Sequence, residues 1–156
     1  MIGRLVRSVD FERVLRTPSR ARTIHFALHH LADRPSIRAR PAPAPAGDEL
    51  STAGAPEKSA LVDDSLSSGP GTLWLGAVVP KRHARRSVTR SLLKRQIRVC
   101  VADRSDALEG GLWVVRLRAP FDRQRFPSAA SCALKAAARR ELQLLLADAA
   151  RRVDRR

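Results

Sequence analysis

Residues 72–98 read TLWLGAVVPKRHARRSVTRSLLKRQIR, and a strand, a basic turn and a helix can be read from them in that order. Leu73 to Val79 is a short apolar run bounded by turn residues, the pattern of a central strand. Pro80 ends it, because proline has no N–H for the next ladder bond. From Lys81 to Arg98 there are eight Lys or Arg and no Asp or Glu. On a helix of about 100° per residue with Arg90 at zero, Lys94, Arg98, Ser91 and Arg95 fall between about 40° and 140°. Val99, Leu92, Gln96, Cys100, Leu93 and Ile97 run from about 180° to about 340°. One flank is therefore predicted to carry cations and the other to dock on a sheet, with Val101, near 20°, out of pattern.

Working outward, LWVVRLRAP (112–120) follows an EGG break and reads as a second strand stopped by Pro120. PSAASCALKAAARRELQLLL, opening at Pro127 and Ser128, is dense in helix formers, with Leu134, Ala138, Leu142, Leu145 and Ala149 as its apolar stripe. Upstream, RTIHFALHH (22–30) alternates like one half-buried strand, with Ile24, Phe26 and Leu28 on one face and His25, Ala27 and His29 on the other. A short helix is predicted from about Val9 to Arg16, with Asp10 and Glu12 favouring its dipole and Phe11, Val14 and Leu15 on one side; Thr17 and Pro18 stop it. Residues 33–71 are rich in Pro, Ala, Ser and Gly with little apolar periodicity, so a flexible insertion is expected there, and 153–156 form a basic tail. The predicted order is helix, strand, insertion, strand, helix, strand, helix. That mixture argues for a single α+β domain, helices packed on a small mixed sheet.

With 30 Lys and Arg against 15 Asp and Glu in 156 residues, the formal charge is +15 and the pI about 11.7. A polyanionic partner fits such a chain better than a small neutral substrate, and phosphates fit arginine forks. Arg90, Lys94 and Arg98 repel one another at i, i+4 spacing, a strain that an anion relieves. No apolar run approaches the roughly 20 residues needed to span a bilayer. The start, MIGRLVRSVDFERV, has no secretory pattern, so a cytoplasmic location is expected. Cys100 and Cys132 cannot form a zinc site alone and read as small core residues. Phosphate-loop, metalloprotease and serine-hydrolase motifs are absent, and no carboxylate pair sits in the expected core. The chemistry implied is binding of RNA or DNA, with any reaction supplied elsewhere. A DNA-reading regulator would need exposed base-reading residues and a dimer interface, neither of which is visible.

The run GAVVPKRHARRSVTRSLLKRQIR resembles the signature segment of the bacterial ribonuclease P protein component: a glycine-bearing strand, a Lys-Lys pair, a basic loop and a helix of the type R-N-R-x-K-R-x-x-R. Gly76 matches the strand glycine, Lys81 and Arg82 the lysine pair, Arg90 the first arginine, Lys94 and Arg95 the Lys-Arg, and Arg98 the last arginine. Ser91 stands where Asn is usual and Leu92 where the second Arg is, so part of the pattern of hydrogen bonds to RNA is missing or moved. DFERVLRT, FALHH, LWVVRLRAP and the closing helix resemble the family's other elements in order; the insertion is longer than the usual loop.

The resemblance implies an α+β sandwich with a left-handed β-α-β crossover. It implies a protein that assists a catalytic RNA, in a 1:1 complex, in removing the 5′ leader of precursor tRNA, with Mg²⁺ held mainly by the RNA and no catalytic residue in the protein. Lys81, Arg82, Arg85, Arg86, Arg90, Ser91, Lys94, Arg95 and Arg98 would face the RNA subunit. Phe11, Leu15, Ala27, His29, Trp74 and Arg118 would form a cleft for the leader. The alternative is a ribosome-associated or architectural protein that binds structured RNA and takes part in no reaction.

Overall fold

The computed structural model describes residues 2–36 and 71–153. Strand β1 (Ile2–Arg4) leads into helix α1 (Ser8–Arg16), followed by β2 (Ser19–Arg22), β3 (Phe26–Leu31), β4 (Leu73–Val78), α2 (Ser87–Ala102), a 3₁₀ turn at Ser105–Ala107, β5 (Gly111–Leu117) and α3 (Cys132–Val153). The strands form one sheet in the order β1-β4-β5-β3-β2. β1 and β5 both run parallel to β4, whereas β3 is antiparallel to β5 and to β2. This is the α+β class expected, with α2 carrying the crossover between the parallel neighbours β4 and β5.

Period-two alternation sorts the sheet into two faces. On one, Phe26, Leu28, Leu73, Leu75, Trp113, Val115 and Leu117 meet Leu93, Ile97, Cys100 and Val101 of α2 and Ala138, Leu142, Leu145, Leu146 and Ala149 of α3. Each fully buried Leu or Ile there contributes roughly 1.5–3 kcal/mol relative to exposure. On the other face α1 lays Val14 on Leu112 and Val114, with Phe11, Leu15 and Trp74 at the margin. The stripe predicted for α3 is buried throughout.

Several expectations are corrected. The stretch 22–30 is a hairpin rather than one strand: the chain turns at residues 23–25, leaving Ile24 77% exposed. His25 turns with it towards α3, where its Nδ1 lies 2.7 Å from Glu141 Oε2. β1 is too short to show periodicity, and it exists because the main chain beside β4 is open to pairing. α3 begins at Cys132, after Ser131 Oγ accepts the Leu134 N–H at 3.1 Å. Cys132 is consequently exposed and only Cys100 is a core cysteine; both are free thiols. Val101 is buried, since α3 packs against α2 from the side and rotates the buried arc towards Val101 and away from Leu92 and Val99.

Of the expected insertion, residues 37–70 lie outside the described residues, as do 154–156 of the basic tail. Its first residues are anchored on α1. The Ser36 N–H donates to both carboxylate oxygens of Asp10, at 3.0 and 3.1 Å, and Asp10 is fully buried beside Arg13. Arg7 Nη1 donates to Ser36 O, and Arg13 pairs with Asp33. Asp10 thus does more than favour the dipole of its helix. Gly111 opens β5 with φ +125, a conformation that strains any other residue, and a Cβ there would come within 2.6 Å of Leu31 O.

Candidate nucleic-acid interface

The rotation of α2 decides which cations look outward. Ser91, Arg95 and Arg98 are exposed, while Arg90 and Lys94 sit half-buried at the rim beside the packed flank. Leu92, standing where the resemblance leads one to expect an arginine, packs against the edge of the main core. Before the helix, Lys81, Arg82, Arg85 and Arg86 are exposed on the loop that follows β4. Among the described residues the ion pairs are made by Arg13, Arg20, His25, His30, Arg139 and Arg152, so no carboxylate neutralises a cation between Lys81 and Arg98.

Arg90 has a second task. Its Nη1 donates to the carbonyls of Ala84 at 3.0 Å and Arg85 at 2.7 Å, holding the basic loop against the start of α2. Arg86 Nη1 donates to Pro127 O at 3.2 Å and Thr89 Oγ1 to Ala129 O at 2.7 Å, so the segment before α3 is tied to the same place. Lost hydration first, and then the cationic field of Arg82 and Arg116, hold the His83 imidazole below its usual 6.5. A polyanion is the species that such a field attracts.

On the α1 face of the sheet, the strand register sets residues in rows. Leu31, Leu112, Trp74 and Gly3 form one row; His29, Val114 and Gly76 form the next; Arg22, Ala27, Arg116 and Val78 form the third. Phe11 reaches down onto Gly76, where a Cβ would come within 2.9 Å of its Cζ, and Trp74 lies over Gly3 in the same way. Phe11, Leu15, Ala27, His29 and Trp74 are thus brought to one face. His29 is 9% exposed, and its Nδ1 is 2.9 Å from Thr17 O, so its ring is a strut between β3 and the end of α1. Arg118 is exposed just past the end of β5, its N–H donating to His25 O at 2.8 Å and its Nη1 to Thr23 O at 3.5 Å. Sequence reading passed over Arg116 and Arg22, which give the third row its positive charge. The alternation Leu112, Val114, Arg116 carried the signal for the first, whereas Arg22 needed the hairpin.

A sheet covered on one side by two helices, with a carboxylate-free cationic ridge on one of them and a single short helix over its other face, defines an α+β sandwich with a strongly basic flank. The family model described as Ribonuclease P matches residues 3–141. The chain belongs to that family. It is 44% identical over 82 residues to the ribonuclease P protein component of Burkholderia pseudomallei (strain 1106a), covering 53% of this chain and 60% of that protein. It is 42% identical over 85 residues to the component of Ralstonia pickettii (strain 12J), covering 54% and 59%. The chain thus spans about 60% of the length of the curated relatives it matches. A solved structure of the Staphylococcus aureus RNase P protein superposes with a TM-score of 0.54 over 92% of each chain at 15% identity, a likeness of fold.

Proposed function

We propose that the chain is the protein subunit of ribonuclease P: it binds the catalytic RNA subunit through α2 and the loop before it, and the 5′ leader of precursor tRNA across the α1 face of the sheet. The observation that carries this reading is the cationic ridge of α2, unneutralised among the described residues, on the fold of this family. Guanidinium forks suit phosphate oxygens and release condensed counterions on binding. On the cleft face, Phe11 offers a ring to a base, while Arg116 and Arg22 offer charge to the leader backbone.

No group of three or more His, Cys, Asp or Glu among the described residues could hold a metal ion. In this proposal Mg²⁺ is held mainly by the RNA subunit, and the work of the protein is binding and orienting. No helix among the described residues is long and apolar enough to cross a membrane, and action in the cytoplasm accompanies the proposed role. The test is reconstitution with bacterial ribonuclease P RNA at low Mg²⁺. Cleavage of precursor tRNA should require this protein, in a 1:1 complex, and affinity should fall when the leader is deleted. Unstimulated cleavage with affinity indifferent to the leader would favour the architectural RNA-binding alternative.

A further inference from the structure

On the α2/α3 side of the molecule, away from the α1 face of the sheet, lies a concavity of about 750 Å³, within the roughly 300–1,000 Å³ of ordinary ligand sites. Its walls are the loop before α2 and the segment between β5 and α3, and the two are fastened together by the Thr89–Ala129 and Arg86–Pro127 hydrogen bonds already described. Arg82, Arg85, Arg86 and Arg123 line it. The acid in its lining is Asp122, whose Oδ1 accepts the Gln124 N–H at 2.9 Å in a local turn. Phe121 and Phe126 also line it, their rings edge to face with centroids 5.9 Å apart, and the Arg125 guanidinium lies over the Phe126 ring at 5.7 Å. Phe121 is itself held, stacked on His25 at 4.0 Å, with His25 anchored by Glu141.

Four arginines beside two rings, in a space larger than a phosphate needs, match a ligand that is anionic at one end and flat at the other. We infer that this concavity accepts one unstacked nucleotide of an RNA strand, its phosphate among the arginines of the α2 loop and Arg123, its base against Phe126. The site rests on the RNA-binding reading and deepens it: three of its arginines belong to the loop already assigned to RNA, and Arg123 with the Phe121 and Phe126 rings carries that surface onto the segment before α3. It explains why Arg90 is spent on the carbonyls of Ala84 and Arg85: that bond fixes the loop that carries three of the four lining arginines.

The test is amide NMR of the ¹⁵N-labelled full chain, titrated separately with inorganic phosphate, CMP and pentacytidylate. CMP should move the amides of Thr89, Phe121 and Phe126 and bind at least about fivefold tighter than phosphate, the low end of what one stacked base supplies. Pentacytidylate should move the same amides at lower concentration, with an advantage over CMP that shrinks as salt rises. Phe126→Leu should bring CMP to the level of phosphate while leaving phosphate binding unchanged; Arg123→Gln should weaken all three ligands, and the spectra of both variants show whether they remain folded. Equal affinity for CMP and phosphate, or shifts confined to Arg95 and Arg98, would overturn the site. CMP binding as tightly as pentacytidylate would overturn the strand as its source. Structured-RNA affinity of the Lys94→Ala variant, measured alongside, reports on the α2 ridge, so failure of the RNA-binding reading is distinguishable from failure of this pocket.

Discussion

Gly76→Ala probes how α1 is seated. A Cβ at position 76 would lie 2.9 Å from Phe11 Cζ and closer still to Cε1, where about 3.5–4.0 Å is the comfortable carbon separation. The ring must retreat by roughly 1 Å, and such overpacking costs about 1–3 kcal/mol. Against this, alanine in a strand gains about 0.5–1 kcal/mol over glycine through the unfolded chain. The single variant therefore mixes two opposing effects, and a double-mutant cycle separates them. In a Phe11→Ala background the clash vanishes and Gly76→Ala should become mildly stabilising, so the coupling energy isolates the steric part at about 1–3 kcal/mol. Urea unfolding of the four proteins, with unchanged m values, measures it. The expected functional counterpart is a loss of leader-dependent affinity in Gly76→Ala, since the displaced ring no longer lies along the sheet. A coupling below about 0.5 kcal/mol would refute the seating of Phe11 on Gly76, because independent sites add to within that margin.

Lys94→Ala should flatten the salt dependence of RNA binding by up to about 0.9 in log–log slope for each phosphate it no longer neutralises, with unfolding unchanged; Arg90→Ala should do the same and also lose on the order of 1 kcal/mol of stability, because the Ala84 and Arg85 carbonyls lose their donor. His30 Nε2 donates to Gly110 O at 3.2 Å and Nδ1 accepts from Arg20 at 2.7 Å; burial first, and the Arg20 cation, keep the imidazole below its usual 6.5 despite that carbonyl and Glu109. The unfolded chain then binds the proton more readily, so His30 should contribute stability that is complete above about pH 6.5 and lost as pH falls below it, and the loss should shrink in His30→Gln when unfolding is followed between pH 7 and 5. Burial would raise the Glu141 carboxyl, but hydrogen bonds from Thr23, the His25 N–H and the His25 ring outweigh it and hold the group below its usual 4.5. Its stabilising effect should be present above about pH 4.5 and vanish as pH drops through the lower folded value, and Glu141→Gln should flatten that part of the acid-unfolding curve.

The main sheet–helix framework was legible from residue pattern because both regular elements repeat locally. The run from Leu73 to Val79 bounded by Pro80, the apolar flank of α2 and the stripe from Leu134 to Ala149 each state their structure within a few turns. The cationic ridge could be read the same way, since charge on one helix flank depends only on spacing. Three things needed the folded molecule. β1 is held by main-chain pairing with the distant β4, and β2 pairs with its neighbour β3 across a turn at residues 23–25; main-chain pairing leaves little mark on side-chain order, so alternation alone puts Ile24 and His25 on the wrong side. The outward arc of α2 was set by α3 packing on its flank, which buried Val101 and drew Arg90 and Lys94 to the rim. The row of Arg22 and Arg116, and the basic concavity at Phe126, join residues more than 30 positions apart in the chain, so they exist only through strand register and the hydrogen bonds that close the loops. Periodicity is a property of neighbours along the chain, while a site is a property of neighbours in space.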